Sequence, residues 1–180
     1  MAASPRVKRI TGARWLRRDI DGYAVDLDGD SDLDPSLAGR FAAVVATGLI
    51  EHLDDPDAFL RNALGLSIPG SGNVFLSTQS GQVRETERRV GHRCHYSANE
   101  MSDRLVVTGW EPVRVWNTGY PLHDLSKWYA NRNPDATMER VGEREYSWSE
   151  DLICTALRFA FRFNSERRGA QLFALGRRRC

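Results

Sequence analysis

An uninterrupted apolar run at residues 41–46, followed at once by a strong helix start, constrains the fold of this chain more than any other feature. The run is short, contains the β-branched residues Val44 and Val45, and comes after Gly39. Such a run predicts a strand that is buried on both faces, as in a parallel sheet. A helix is then predicted to begin at Asp55 as its N-cap, with Pro56 in the first helical position.

Further strands are predicted where short apolar segments follow turn residues, at residues 23–25, 74–76, 112–116 and 170–175. Two more helices are predicted after Ser97 and Ser147, because a glutamate three residues on from each serine completes a capping box. Strands that alternate with helices at this spacing indicate an α/β sheet with crossover helices.

Ligands of such sheets bind at the carboxyl ends of the strands. This rule places three segments on one rim of the predicted sheet: Asp26 with Leu27, residues 46–48, and Thr78 with Gln79. Any binding site is therefore expected to draw on these three segments.

Composition excludes several classes of protein. A formal net charge of +1 over 180 residues provides no field that would attract nucleic acid or an anionic membrane. Cys94, Cys154 and Cys180 are too far apart for a zinc knuckle or a redox pair, so a reducing cytoplasm is expected. No apolar run reaches the length needed to cross a bilayer, and the N-terminus lacks the apolar stretch of a secretory signal.

Residues 41–56, with the sequence FAAVVATGLIEHLDDP, resemble the fourth-strand motif of class I S-adenosylmethionine-dependent methyltransferases. Later landmarks of that family follow in the same order. They are Ile68-Pro69-Gly70, residues 74–78, Gly91-His92 with His95-Tyr96-Ser97, Gly109-Trp110, and residues 171–177. The resemblance implies an α/β, Rossmann-like three-layer sandwich at residues 23–180. Its sheet would be mostly parallel with an antiparallel C-terminal strand, and residues 1–22 would form a poorly defined N-terminal segment.

The resemblance also implies a function, which is transfer of a methyl group from S-adenosylmethionine to an oxygen or nitrogen of a small-molecule acceptor. Asp26 and Leu27 match the family's adenine contacts, and Ala46 and Thr47 stand where the fourth strand approaches the cofactor. His52 and Glu51 follow at the same rim and are the candidate catalytic residues, since histidine can remove a proton near neutral pH.

One family feature is missing. Residues 1–22 contain no counterpart of the family's first strand and Gly-x-Gly-x-Gly loop, and Ala42 stands where the family usually has aspartate. The fold is therefore expected to be N-terminally truncated. Three explanations remain open: an incomplete gene product, one half of a complex completed by another chain, or a rearranged fold. The alternative function is accordingly an inactive scaffold or one half of a split methyltransferase, with a second copy or a complementing chain as partner.

Two further points concern the surroundings of the predicted site. The aromatic-rich residues 117–146 form either a lid over a planar or apolar acceptor or a plain surface excursion. Glu51, His52, His92 and His95 partly resemble the metal-binding set of the small-RNA 3′-terminal methyltransferases. Gly48 replaces that family's first glutamate, however, and the same pattern occurs in relatives without metal, so no metal is expected.

Overall fold

The computed structural model describes residues 35–140, 161–165 and 167–180, four short strands between residues 8 and 24, and residues 155 and 159. The described residues form eight strands, β1 (Lys8–Ile10), β2 (Arg14–Trp15), β3 (Arg18–Asp19), β4 (Gly22–Ala24), β5 (Ala43–Thr47), β6 (Asn73–Gln79), β7 (Trp110–Thr118) and β8 (Gln171–Arg178). The α-helices are α1 (Pro56–Leu66), α2 (Glu85–Arg89), α3 (Ala98–Val107), α4 (Leu122–Ala130) and α5 (Pro134–Arg140), with short 3₁₀ turns at Pro35–Leu37, Ile50–His52 and Phe161–Phe163. Among these described helices, none is both long and apolar enough to cross a lipid bilayer.

The main sheet has four strands in the order β5-β6-β8-β7. Strand β5 runs parallel to β6, and β8 runs antiparallel to both β6 and β7. β5, β6 and β7 therefore point the same way and the C-terminal strand points against them. The predicted α/β architecture, with a mostly parallel sheet and one antiparallel C-terminal strand, is confirmed.

The strand predicted at residues 23–25 corresponds to β4, which pairs antiparallel with β1. These two strands form a sheet of their own, separate from the four-stranded sheet. Asp26 and Leu27, which were predicted to follow this strand on the common rim, lie outside the described residues.

Helix α1 begins as its sequence predicts. The Asp55 carboxylate accepts hydrogen bonds from the backbone N–H groups of Asp57 at 3.1 Å and Ala58 at 2.8 Å, and Pro56 is the first helical residue. These bonds satisfy two of the N–H groups that have no partner inside the helix. The predicted N-terminus of this helix is therefore confirmed.

Helix α3 also begins as predicted. The Ser97 hydroxyl accepts from the N–H of Glu100 at 3.2 Å, and the Glu100 carboxylate accepts from the N–H of Ser97 at 2.7 Å. Gly109, with φ of +93°, follows the end of the helix and adopts a backbone conformation that other residues rarely tolerate. The helix predicted after Ser147 lies outside the described residues, apart from residues 155 and 159, which are helical.

The hydrophobic core lies where α1 and α3 meet one face of the main sheet, which we call the packed face. Trp110 at the start of β7 is fully buried, and its indole N–H donates to the Leu60 carbonyl at 3.0 Å. The packed face buries alternate residues of β6 and β8, but only Ala46 of β5 and Trp110 of β7. Its cluster includes Ala46, Val74, Leu76, Leu172, Ala174 and Trp110 from the strands with Phe59, Leu60, Ala63, Met101 and Leu105 from the helices.

The opposite side of the sheet, which we call the open face, is only half-covered. Phe173 stacks between Phe75 and Trp116, at centroid distances of 5.9 and 5.4 Å, and Val45 is 64% exposed. The expectation that β5 is buried on both faces is therefore wrong: Ala46 points into the core, whereas Val45 points to solvent. β5 is an edge strand, and within the described part of the chain no strand pairs along its outer side. An apolar run shows that the side chains are apolar, but it does not show how many strands will pair with the strand or what will pack on its faces.

Candidate functional site

The candidate site begins where the chain leaves β5. Gly48 turns the chain with φ of +60°, and its N–H donates to the carbonyl of Ser77 at the end of β6, at 2.8 Å. Glycine suits this turn because it adopts positive φ without a steric penalty. The Ile50–His52 3₁₀ turn follows directly, so the carboxyl ends of two parallel strands hold the next residues in place.

Glu51 points inward from this turn and is only 2% exposed. Its Oε2 accepts a hydrogen bond from the Thr78 hydroxyl at 2.8 Å, and Thr78 is itself buried near the end of β6. Removing a carboxylate from water is costly unless hydrogen bonds or positive charge compensate. Among the described residues no lysine or arginine forms an ion pair with Glu51. The hydrogen bond from the Thr78 hydroxyl therefore offsets part of the cost of burying this carboxylate.

Three histidines lie beside Glu51. The rings of His52 and His92 meet edge to face at 4.7 Å, and His92 Nδ1 lies 2.9 Å from His95 Nε2. Gly91 precedes His92 with φ of +92°, a backbone conformation that glycine adopts without a steric penalty. Two histidines from the loop before α3, His92 and His95, thus lie beside the predicted pair Glu51 and His52.

Burial lowers the pKa of His92 and of His95, so both imidazoles are neutral near neutral pH. A neutral imidazole carries one N–H and one lone pair. The 2.9 Å contact between the two rings uses one N–H and one lone pair, so each ring keeps a further nitrogen for another partner. The Nδ1 atom of His95 has no hydrogen-bond partner among the described residues.

A largely buried ion pair lies next to His95. Glu87 of α2 lies 2.7 Å from Lys127 Nζ of α4, and Lys127 also donates to the Gln79 side chain at 2.6 Å. Burial raises the pKa of Glu87, but hydrogen bonds from Lys127 and from the Arg84 backbone N–H outweigh this and hold it below its ordinary value. The Glu87 carboxylate is therefore charged, and it lies 4.0 Å from His95 Nε2.

A cleft of about 520 Å³ opens beside this ion pair, between the end of β6 and α4. Lys127, Tyr120 and Asp124 line one side, and Ser80, Gly81 and Arg84 line the other. Residues 117–140, the described part of the segment predicted to be a lid or an excursion, thus contribute one wall of a cleft at the carboxyl end of the sheet.

The structure places the sequence-predicted residues unequally. Glu51 and His52 lie together at the rim, and Thr47 lies exposed at the end of β5. Ala46 points its side chain into the core, so only its backbone faces the rim. The cofactor roles of Ala46 and Thr47 stay predictions, as do those of Asp26 and Leu27.

Sequence reasoning missed Glu87 and Lys127. They belong to two different helices, far apart along the chain, and meet only because α2 and α4 pack near the end of β6. No local spacing connects them. The sequence offered one weak indication of this pair, a glutamate within the basic segment that forms α2. Such a charged segment is more often a solvated surface.

No family model matches the sequence. Among solved structures, a putative methyltransferase from Bacillus halodurans resembles this chain with a TM-score of 0.50 at 16% identity, covering 84% of this chain and 70% of that one. This chain has a methyltransferase fold.

Two other methyltransferase structures match with lower scores. Phosphoethanolamine N-methyltransferase 2 from Haemonchus contortus, solved in complex with S-adenosyl-L-methionine, has a TM-score of 0.48 at 12% identity and covers 79% of this chain. A putative sarcosine dimethylglycine methyltransferase from Galdieria sulphuraria has the same TM-score of 0.48 at 12% identity, again over 79% of this chain. The chain spans 34% of the length of the Haemonchus enzyme and 54% of the Galdieria protein.

Proposed function

We propose that this chain takes part in transfer of a methyl group from S-adenosylmethionine to an oxygen or nitrogen of a small-molecule acceptor. The observation that carries the proposal is the position of the polar cluster. Glu51, His52 and His92 lie at the carboxyl ends of β5 and β6, which is where α/β sheets bind their ligands, and the fold is that of methyltransferases.

The reaction is an in-line displacement. The acceptor's lone pair forms a bond to the methyl carbon while the bond from that carbon to the sulfonium sulfur breaks, and the neutral thioether leaves. The main task of the protein is to hold the two reactants in line in a site that excludes water. An acceptor that starts as a hydroxyl or an ammonium must also lose a proton.

The proposed roles follow the positions of the side chains. Thr47 at the exposed end of β5, with the Ala46 backbone, is proposed to approach the cofactor, with Asp26 and Leu27 at its adenine. His52, which is partly exposed, is proposed to accept the acceptor's proton, and Glu51 is proposed to act beside it as a buried negative charge. The cleft next to Tyr120 and Lys127 is the proposed acceptor side.

The test is calorimetric titration of the chain with S-adenosylhomocysteine. Saturable binding at one site is expected, together with its loss in Thr47→Arg, which puts a long side chain at the end of β5. Val106→Arg is the matched control, because Val106 is also exposed but lies on α3. The proposal that this chain by itself binds the cofactor would be overturned if the parent chain did not bind, or if Thr47→Arg bound as well as Val106→Arg.

A second candidate function is favoured by one observation. β5 is an edge strand with Val45 64% exposed, which leaves backbone and apolar groups open for pairing with another strand. We infer that a second copy or a complementing chain covers this edge, as expected for one half of a split methyltransferase or a scaffold. Light scattering that shows a monomer at all concentrations, together with binding of S-adenosylhomocysteine by the monomer, would count against this candidate.

A further inference from the structure

We propose that Glu51, His52 and His92 bind a divalent transition-metal ion of the Zn²⁺ type. One ligand atom from each of the three residues lies within 4.8 Å of the other two. Tetrahedral Zn²⁺ with bonds of about 2.1 Å needs donor separations of roughly 3.4 Å, so small side-chain rotations bring the three atoms into range. The proposal goes beyond methyl transfer and does not depend on it.

The chemistry of the donor set fits such an ion. Two imidazole nitrogens with one carboxylate oxygen form a mixed set that suits zinc, whereas calcium and magnesium prefer sets made of oxygen atoms alone. Sites with three protein ligands of this kind leave a fourth position open for water or for an acceptor atom. His52 and His92 are both partly exposed, so that fourth position is reachable from solvent.

Charge is the second argument. Glu51 is almost fully buried, and the described cationic side chains leave it without an ion pair, so a divalent cation would offset the cost of its desolvation. The Thr78 hydroxyl already orients the carboxylate through Oε2, which leaves Oε1 for a ligand. A buried carboxylate that is held in place beside two imidazole rings is a better cation site than an exposed acidic cluster.

The outer contacts supply the third argument. Histidines that bind metals usually have their second ring nitrogen held by another group, which fixes the ring and leaves the other nitrogen for the metal. His92 has this arrangement, because its Nδ1 is held by His95 Nε2 at 2.9 Å. In the ion-bound protein the lone pair of His52 is coordinated, so its proposed role in accepting a proton belongs to the metal-free chain.

The experiment titrates the full chain, first dialysed against a chelator, with Co²⁺ while recording visible absorption, and then displaces Co²⁺ with Zn²⁺. One equivalent is expected to bind with the absorption of a nitrogen and oxygen site. His52→Gln and His92→Gln should each weaken binding by more than the roughly 10–100-fold expected for His95→Asn, which removes only the supporting contact. His123→Gln, at a half-buried histidine of α4, is the matched control and should bind as the parent does.

Three results would overturn the proposal. They are absence of saturable binding, a thiolate-to-cobalt charge-transfer band that assigns the ion to a cysteine, and affinity that His52→Gln leaves unchanged. Circular dichroism in the near ultraviolet checks that each variant is folded. Should His92→Gln fail to fold, His52→Gln decides the question alone, because the described structure gives the His52 side chain no hydrogen bond to lose. Since the readout is metal, its outcome is independent of whether S-adenosylhomocysteine binds.

Discussion

The two faces of the main sheet are made of similar residues but differ in how much they bury. On the packed face Val74, Leu76 and Leu172 have no exposed surface, because α1 and α3 cover them. On the open face the stacked rings of Phe75, Phe173 and Trp116 are only partly covered, and Val45 is mostly exposed. Helices cover the packed face as they do in an α/β sandwich. The open face is also apolar, but the described residues include no helix layer that buries it.

This difference between the two faces bears on the candidate site. The candidate site lies at the carboxyl end of the sheet and is anchored on the packed-face side through Thr78 and Glu51. The open face and the outer edge of β5 are where we propose that a second copy or a complementing chain binds. Stability and binding measurements on matched residues of the two faces therefore test the account.

The largest expected difference is between two tryptophans of the same strand. Trp110→Ala on the packed face should lower the free energy of unfolding by about 3–5 kcal/mol, because it leaves a cavity and removes a buried indole. Trp116→Ala on the open face loses one aromatic contact and the nearby Arg114, and should cost about 1 kcal/mol. Urea unfolding measures both, and equal losses would mean that the two faces are equally covered.

Thr78→Val comes next. It removes the hydroxyl that donates to the buried Glu51 carboxylate and should cost about 1–3 kcal/mol, because that carboxylate loses its donor. The neighbouring residue provides the control. Ser77 lies on the open face and accepts a hydrogen bond from Gln171, so Ser77→Ala should cost less. A Thr78→Val variant as stable as Ser77→Ala would show that Glu51 is not held as described.

The helices of the packed face can be tested at their caps. Asp55→Ala should cost about 0.5–2 kcal/mol, because two N–H groups at the start of α1 lose their acceptor. Asp103→Ala, on the surface of α3, changes an aspartate that does not cap a helix and is the comparison. If thermal unfolding shows the same loss for both, the capping account of α1 fails.

A smaller, pH-dependent effect is expected at Glu100. A hydrogen bond from the Ser97 backbone N–H lowers the pKa of this carboxyl in the folded protein. Its contribution to stability is therefore present above the ordinary glutamate pKa and is lost as the pH falls through the lowered value. The stability gap between the parent chain and Glu100→Gln should narrow in acid, and a gap that stays constant with pH would contradict the assignment.

The smallest effect is expected at Val45. Val45→Thr keeps the β-branched shape on an exposed strand position, so it should change the free energy of unfolding by no more than about 0.5 kcal/mol. A loss several times larger would show that another part of the molecule or a second chain covers this residue in solution.

Much of the packed half could be predicted from local rules. The Asp55 and Ser97 caps and the strands around Val74, Val115 and Leu172 follow from residues close together in sequence. The antiparallel direction of the last strand does not, and only the resemblance to methyltransferases implied it. The exposure of Val45 on β5 could not be predicted in this way. It depends on which strands and helices lie beside β5, and the residue type of Val45 gives no information about them. In the candidate site, Glu51 and His52 are adjacent in sequence and could be singled out from it, whereas Glu87 and Lys127 meet only through helix packing and could not.

The most direct test of the central claim is a crystal structure of this chain grown with S-adenosylhomocysteine. We predict that the ligand lies against the carboxyl ends of β5 and β6, beside Thr47 and Gly48, with its sulfur directed towards His52. A ligand bound elsewhere on the surface, or crystals that contain none at saturating concentration, would contradict the claim that this rim is a cofactor site.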